Sequence, residues 1–412
     1  MHVCEATIPV RIIEQFVSSL QHCPESYLPL LPNVTELEWG EIPVFLPLPG
    51  DSSISLLKYF ATPTVTTITL PPIGWMAHSS AEKPLLADLP RICPEVTSFT
   101  IAIGLGLWPY EEAGEMITQW SKLRTLRTCA IEQSVMSELL SRGTLQSLHI
   151  QYYKSSPSYS GRIPETVLEL TLSADSPSLC TRFLEGMYAS PTRFCLVIGA
   201  DEGRKETNNE LLCLLSRSLD TSHLQSLTFQ QGMNPIGGRA MELQQPFLPT
   251  LVKFTRLREL DLDLVCTAQM SDADFAYLAE SLPQLRSLKL GTAYRSVALP
   301  WPLASVWAVV AVLSHCEHLE TLHIAFNGLF PPSESSPGED DEVAPSEETE
   351  CQGWGVSNRH ITELCVGYSP VGRATIDDIA SCLKSVMPCL VQIQCKARHE
   401  EWKLVEEMLE SY

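Results

Sequence analysis

Basic residues are scarce in this chain, which has 28 Lys and Arg against 49 Asp and Glu and a formal net charge of −21. Phosphate backbones and anionic membrane surfaces repel such a chain, so neither nucleic acid nor a membrane is an expected partner. Long apolar runs are also missing. The most membrane-like stretch, 298–316, contains two prolines, and its solid apolar part is far shorter than the roughly 20 residues of a membrane span. This stretch therefore predicts a buried helix.

The N-terminus lacks the basic region and apolar run of a secretory signal. The chain has 14 cysteines but no C-x-x-C pair. Without a secretory signal, this number and spacing of cysteines indicates reduced thiols inside a cell rather than a disulfide framework. The sequence therefore predicts an intracellular protein of the cytoplasm, the nucleus or both.

Motifs that carry enzyme chemistry are missing as well. The chain contains no G-x-x-x-x-G-K-[ST] loop, no G-x-S-x-G elbow and no H-E-x-x-H helix. The densest ligand-like cluster is His315-Cys316-Glu317-His318. The cluster directly precedes an apolar strand pattern, so its residues are better explained by the packing of a helix end against the next strand than by a metal site. We therefore expect no catalytic residues, no metal and no cofactor.

A six-residue pattern, apolar-x-x-apolar-x-apolar, recurs through the whole chain. The copies return about every 30 residues, close to the roughly 20–29 residues of leucine-rich repeats. Each copy has the alternation of a short strand with its large side chains on one face. The copies, including weaker ones at 123, 194 and 390, begin at residues 34, 65, 96, 123, 145, 167, 194, 224, 257, 285, 319, 361 and 390.

Helix signals lie between these strand patterns. Ser271-Asp-Ala-Asp274 resembles a capping box ahead of an amphipathic segment, and Pro283 then ends that segment before the next strand. Strand, turn, helix and turn at this period predict an α/β fold. The specific prediction is a leucine-rich-repeat solenoid with a curved parallel sheet on the concave side and helices outside. The alternative is a set of ordinary strands in an unrelated α/β domain.

One segment interrupts the repeats. Residues 331–355 are rich in Pro, Ser and Glu, with eight acidic residues and no Lys or Arg, a composition that predicts disorder. The segment is either an acidic loop that is phosphorylated or binds a partner, or a solvated insertion that the fold merely tolerates. The predicted organisation is an N-terminal helical cap (1–33), a repeat array (34–330), the disordered acidic insert (331–357), and last repeats with a capping helix (358–412).

A surface remains as the candidate functional site. The third and fifth residues of each hexad and the residue that follows it should point away from the core onto the concave face. Several repeats place small polar residues there, whereas one places Glu259, Asp261 and Asp263 together. We hypothesise an acidic spot that binds a basic partner segment; the alternative is a solvated face without a ligand. The candidate partner-binding residues are Glu259, Asp261, Asp263, Ser287, Lys289, Thr321 and His323.

The chain resembles the fungal F-box/leucine-rich-repeat proteins of basidiomycetes. Residues 30–39, Leu-Leu-Pro-Asn-Val-Thr-Glu-Leu-Glu-Trp, are similar to the "LLPNLRSLRW" opening of that family. Cys93-Pro94, which precedes a strand pattern, and the helix–strand segment 275–290 are also similar to segments of that family. The most specific likeness is the block 361–371, similar to the family's "NVGxSPI" element, with a helix, a strand and Trp402 following.

The resemblance implies a function. In that family an N-terminal F-box docks the adaptor of a cullin-type ubiquitin ligase, and the repeats select the substrate. Residues 8–20 look like a first F-box helix, but the "VCxxW" half is missing, so they are interpreted as the helix before the first strand. The expected function is a non-catalytic protein-interaction domain that resembles a substrate receptor, with the adaptor as a partner only if an F-box lies upstream. The alternative is a free-standing scaffold without ligase coupling.

Overall fold

The computed structural model describes residues 19, 29–38, 57, 59–70, 83–101, 110–129, 131–153, 156, 159–199, 206–231, 247–263, 270–292, 302–329, 355–396 and 400–411. The chain divides into two compact units, Met1–Glu169 and Leu170–Tyr412. The boundary between them falls inside the predicted repeat array. Most of the predicted cap (1–33) and of the acidic insert (331–357) lies outside the described residues.

The first unit consists of parallel strands that pair in chain order, with helices between them. Its strands are β1 (Glu36–Glu38), β2 (Thr67–Leu70), β3 (Ser98–Ile101), β4 (Thr125–Cys129), β5 (Ser147–Tyr152) and the short β6 (Gly161–Ile163). Its helices are α1 (Lys83–Ile92), α2 (Tyr110–Thr118) and α3 (Gln133–Ser141). Strands β1 to β5 are parallel neighbours in sequence order.

The second unit repeats this arrangement. Its strands are β7 (Glu169–Ala174), β8 (Met187–Ala189), β9 (Arg193–Ile198), β10 (Ser226–Gln231), β11 (Glu259–Asp261), β12 (Ser287–Leu290), β13 (Thr321–Ile324), β14 (Glu363–Gly367) and β15 (Gln392–Cys395). Its α-helices are α4 (Pro177–Leu184), α5 (Glu206–Ser218), α6 (Leu248–Leu251), α7 (Asp272–Ser281), α8 (Trp307–His315), α9 (Ile376–Val386) and α10 (Glu400–Ser411). A 3₁₀ turn, Arg373–Thr375, precedes α9. All strands except β8 pair in chain order, from β7 to β15.

The sequence hexads coincide with these strands. Thirteen of the described strands form parallel pairs, five in the first unit and eight in the second, and each overlaps one of the thirteen hexads. In β12 and β13 half-buried residues alternate with buried ones. In the second unit the fourth residues of four successive hexads form a buried column, in which Leu260, Leu288, Leu322 and Leu364 are register neighbours, each 0% exposed. The predicted stacking of repeats is confirmed.

The helices pack on the apolar side of the sheet. The Ser271 hydroxyl accepts the Asp274 N–H and the Asp274 carboxylate accepts the Ser271 N–H, so the predicted capping box is present at α7. The apolar stretch around 306–313 forms α8, which is buried and packs beside α7. Short strand, helix and parallel strand repeated in register define a leucine-rich-repeat solenoid, and each unit has this α/β fold.

Candidate functional site

Polar side chains from neighbouring strands form rows across the sheet of the second unit. We call the solvent-facing side of β11–β15 the open face. Strand register aligns Glu259, Ser287, Thr321 and Glu363 in an outer row and Asp261, Lys289, His323, Cys365 and Gln394 in an inner row. Six of the seven residues predicted for the site therefore lie in these two rows, and Asp263 follows β11 directly.

Asp261 is neutralised by its register neighbour. The Lys289 Nζ lies 3.2 Å from the Asp261 Oδ2, and both side chains are about one-third exposed. A pair this accessible contributes little to stability, on the order of 0–1 kcal/mol. It does change the surface, because the Asp261 carboxylate already has a cation beside it.

Asp263 is held in place by Thr292. The Thr292 N–H donates to the Asp263 Oδ1 at 2.5 Å, and the Thr292 hydroxyl lies 2.8 and 2.9 Å from the two carboxylate oxygens. Burial alone would raise the pKa of Asp263, but its contacts with His323 and Thr292 outweigh burial and lower it. The side chain is 11% exposed, so this carboxylate is a buried anion with defined partners.

Two cations approach Asp263 from other strands. The His323 Nδ1 lies 4.0 Å and the Lys396 Nζ 3.9 Å from the Asp263 Oδ2, distances too long for hydrogen bonds but suited to ion pairing. Burial alone would lower the pKa of His323, but interactions with Asp263 and Cys365 raise it to about 9. His323 is therefore an imidazolium at neutral pH. Asp263, Thr292, His323 and Lys396 are called the Asp263 cluster below.

The contact of Lys396 with Asp263 shows that the sheet is curved. Lys396 directly follows β15, whereas Asp263 follows β11, four strands away. Four strand spacings in a flat sheet would separate them by about 19 Å, which a lysine side chain cannot span. Because the two side chains meet on the open side of the sheet, β11–β15 curve so that the open face is concave.

Gly367 allows this close approach. It has a φ of +60°, and a Cβ placed there would lie 2.5 Å from the Thr292 carbonyl oxygen and 2.6 Å from its Cα. The Thr292 hydroxyl also accepts from the Cys365 Sγ at 3.4 Å. Thr292 thus lies over the end of β14, between Asp263 and Cys365, and covers the Cys365 thiol.

The outer row carries the exposed negative charge. Glu259 is exposed and has no described cation beside it, and the exposed Glu363 accepts from the neutral Gln394 amide. Ser287 and Thr321, both half-buried, lie on the strands between them. The acidic character predicted for this face therefore comes from Glu259 and Glu363, whereas Asp261 and Asp263 have cations of the same chain beside them.

The first unit presents a different set of side chains on the same side of its strands. Thr67, Thr69, Ser98 and Thr100 are half-buried there, as expected for small polar residues. Arg127 and His149 are register neighbours on β4 and β5. Burial first, and then the Arg127 charge, lower the pKa of His149 to about 4, so His149 is neutral at physiological pH.

Thr292, Cys365 and Lys396 were not predicted as site residues. Lys396 follows the last strand, and Cys365 occupies the fifth position of its own hexad, so the rule that selected Lys289 and His323 also marks Cys365. Thr292 lies outside any hexad. Within His315-Cys316-Glu317-His318, the buried Cys316 thiol donates to carbonyls of α7 and its C-terminus, Ala279 and Leu282.

The described part of the chain contains no group of three or more His, Cys, Asp or Glu side chains placed to hold a metal ion. None of the described helices is long and apolar enough to cross a membrane. All ten cysteines of the described ranges have free thiols.

Comparisons with solved structures find structural likenesses to other proteins. The chain is similar to the leucine-rich repeat-containing protein LegL7 from Legionella pneumophila, with 14% sequence identity, a TM-score of 0.42, and coverage of 92% of this chain and 98% of that one. No family model and no curated protein matches the sequence.

Proposed function

We propose that the chain is a non-catalytic protein-interaction domain that binds a basic, extended partner segment on the open face. The observation that carries this proposal is the outer row, in which the exposed Glu259 and Glu363 flank two strands with hydroxyl side chains. Three strand spacings, about 14 Å along the backbone, separate the strands that carry the two carboxylates, and the concave curvature brings the carboxylates closer than this. An extended peptide with two basic side chains no more than about four residues apart would match this spacing.

Charge complementarity supports this partner chemistry. Lys289, His323 and Lys396 are already engaged with carboxylates of the same chain. The outer-row carboxylates have no such cation among the described residues, so an incoming Lys or Arg meets uncompensated charge. Complementary charges at an accessible rim raise the association rate and suppress wrong partners.

A peptide array tests the proposal. The probe is an array of random 15-residue peptides, screened with the full chain and with the double variant Glu259→Lys/Glu363→Lys. Peptides bound by the unchanged chain should be rich in Lys and Arg, and the double variant should bind them about tenfold more weakly. The matched control, Glu280→Lys/Glu317→Lys, makes the same charge change at exposed positions on the helix side and should bind normally. Equal binding by both double variants would refute the proposal.

A more specific role, which rests on the resemblance, is the substrate-recognition part of a cullin-type ubiquitin ligase subunit. Its support is the block 361–371 with Trp402, together with an interaction surface for a protein substrate. An intracellular location, as expected from a cysteine-containing sequence without a secretory signal, is part of this proposal. The residues that would carry an F-box-like helix, 8–20, lie outside the described residues except Ser19. The alternative role is a free-standing scaffold.

Purification with the ligase adaptor separates these two roles. The full chain is expressed with the adaptor subunit in its host cell type and recovered at high stringency. Stoichiometric recovery of the adaptor supports the receptor role. Recovery no greater than that of an unrelated control protein supports the free-standing scaffold.

A further inference from the structure

Lys396 is an accessible cation of the open face that has no hydrogen-bonded acceptor among the described residues. Its Nζ lies 3.9 Å from the Asp263 Oδ2, too far for a hydrogen bond, and its side chain is 41% exposed. By contrast, the Lys289 Nζ lies 3.2 Å from the Asp261 Oδ2. An ammonium group has three protons to donate, so Lys396 can bind an incoming acceptor without giving up a hydrogen bond to the described part of the chain.

Asp263 does not satisfy Lys396, because its carboxylate has other partners. The Thr292 N–H donates to Oδ1, and the Thr292 hydroxyl lies within 2.9 Å of both oxygens. The His323 Nδ1 lies 4.0 Å from Oδ2 and is a buried atom with no hydrogen-bond partner in the described ranges. Two cations therefore share one carboxylate. The Cys365 thiol, which donates to the Thr292 hydroxyl, adds no negative charge, so the Asp263 cluster has an excess of positive charge at neutral pH.

The outer row and Lys396 lie on opposite sides of the inner row. Gln392 is the register partner of Glu363 and continues the outer row on β15. Lys396 follows Gln392 by four residues, about 13 Å along the strand, and the uncharged Gln394 lies between them. A peptide that crosses the strands here therefore has the outer-row carboxylates on one side and the Lys396 ammonium on the other.

An extended partner segment would present different side chains to these two charges. Successive side chains of an extended peptide point to opposite sides of its backbone. If basic side chains face Glu259 and Glu363, the residues at odd-numbered separations from them face Lys396. An acidic side chain at such a position meets the excess positive charge of the Asp263 cluster. At an even-numbered separation the same side chain faces the outer-row carboxylates, which repel it.

We propose that Lys396 is the docking site for an acidic side chain, Asp or Glu, of the basic partner segment. This inference rests on the proposed function and adds a charge pattern to it. Basic residues at even-numbered separations face the outer row, and one acidic residue at an odd-numbered separation from them faces Lys396. The pattern distinguishes the partner from basic segments of similar net charge, because a misplaced acidic side chain meets like charge.

Four synthetic peptides test this inference on the full chain. Each has 15 residues of Gly and Ser with Lys at positions 6 and 10; three carry one Glu, at position 7, 8 or 9, and the fourth carries none. Fluorescence anisotropy measures their binding. The direction of the bound peptide decides whether the acid at position 7 or at position 9 lies beside Lys396. We expect one of these two peptides to bind about two- to fivefold more tightly than the acid-free peptide. The peptide with the acid at position 8 should show no such gain.

Variants of Lys396 assign the gain to its ammonium. Lys396→Met should abolish the gain and Lys396→Arg should keep it. The matched control, Lys403→Met, removes an exposed lysine of α10 and should keep it as well. The inference is overturned if neither odd-position peptide binds more tightly than the acid-free peptide, or if the gain survives in Lys396→Met. Binding of the acid-free peptide would leave the proposed function standing in both cases. If none of the four peptides binds, the proposed function fails and this inference fails with it.

Discussion

Replacing Trp402 with alanine is expected to lower the free energy of unfolding by about 3–5 kcal/mol. The indole is 2% exposed, lies edge-on to Phe326 with ring centroids 5.7 Å apart, and donates from Nε1 to the Ser369 carbonyl at 2.8 Å. Alanine would leave a cavity and an unpaired buried carbonyl. Urea denaturation followed by circular dichroism measures the loss.

Trp402→Phe is the matched control. Phenylalanine keeps an aromatic ring against Phe326 but cannot donate to Ser369, so the expected loss is smaller, about 1–3 kcal/mol. A loss below about 1 kcal/mol for the alanine variant would show that α10 does not cap the second unit. Further contacts join α10 to neighbouring elements, since Glu406 accepts the Ile393 N–H of β15 and Lys384 of α9 donates to the Leu409 carbonyl.

Leu288→Ala should cost about 2–5 kcal/mol. Leu288 is 0% exposed and lies between Leu260 and Leu322 in the buried column. Removing its isobutyl group leaves a cavity that the two neighbouring repeats share. Because the strands on either side are held by the same column, the structure can collapse only partly around the cavity. The same denaturation measurement applies.

Leu303→Ala is the control for Leu288→Ala, since it makes the same substitution at a side chain that is 56% exposed. We expect a change within about 0.5 kcal/mol. Similar losses for the two leucine variants would mean that Leu288 is not a core residue and that the hexads do not mark the stacked strands.

The strands could be predicted because each hexad carries its own signal. Apolar residues at the first, fourth and sixth positions specify both the strand and its buried face, and the fourth residues Leu288 and Leu322 are fully buried in their own repeats. The capping box at Ser271 is equally local. By contrast, Thr375 precedes α9 without a side-chain capping hydrogen bond, because its hydroxyl donates to the Gly328 carbonyl from another repeat.

The Asp263 cluster could not be predicted in this way. Asp263, Thr292, His323 and Lys396 lie on or after four different strands, so their contacts depend on the curvature of the sheet. Sequence alternation placed Asp261 and His323 on the open face but could not show which cations would neutralise which carboxylates. The binding role of that face, the organisation of 1–33 and the disorder of 331–357 stay predictions.

The block that carries the family resemblance has a structural role in this chain. Gly367 permits the approach of Thr292, and the Ser369 hydroxyl accepts the Phe326 N–H while its carbonyl accepts the Trp402 indole. The Pro370 carbonyl accepts the Gly328 N–H. These contacts join β13, β14 and α10. They hold the end of the second unit together.

Disulfide cross-linking between register neighbours tests the central claim, that the hexads stack as parallel strands in this register. In Ser287→Cys/Thr321→Cys the two positions are register partners on β12 and β13, about 5 Å apart, a separation that a disulfide can span. Mild oxidation followed by peptide mapping should show this cross-link. Glu259→Cys/Thr321→Cys, two strand spacings or about 10 Å apart, should show none. Equal cross-linking in both variants, or cross-linking only in the second, would contradict the register and the repeat stack with it.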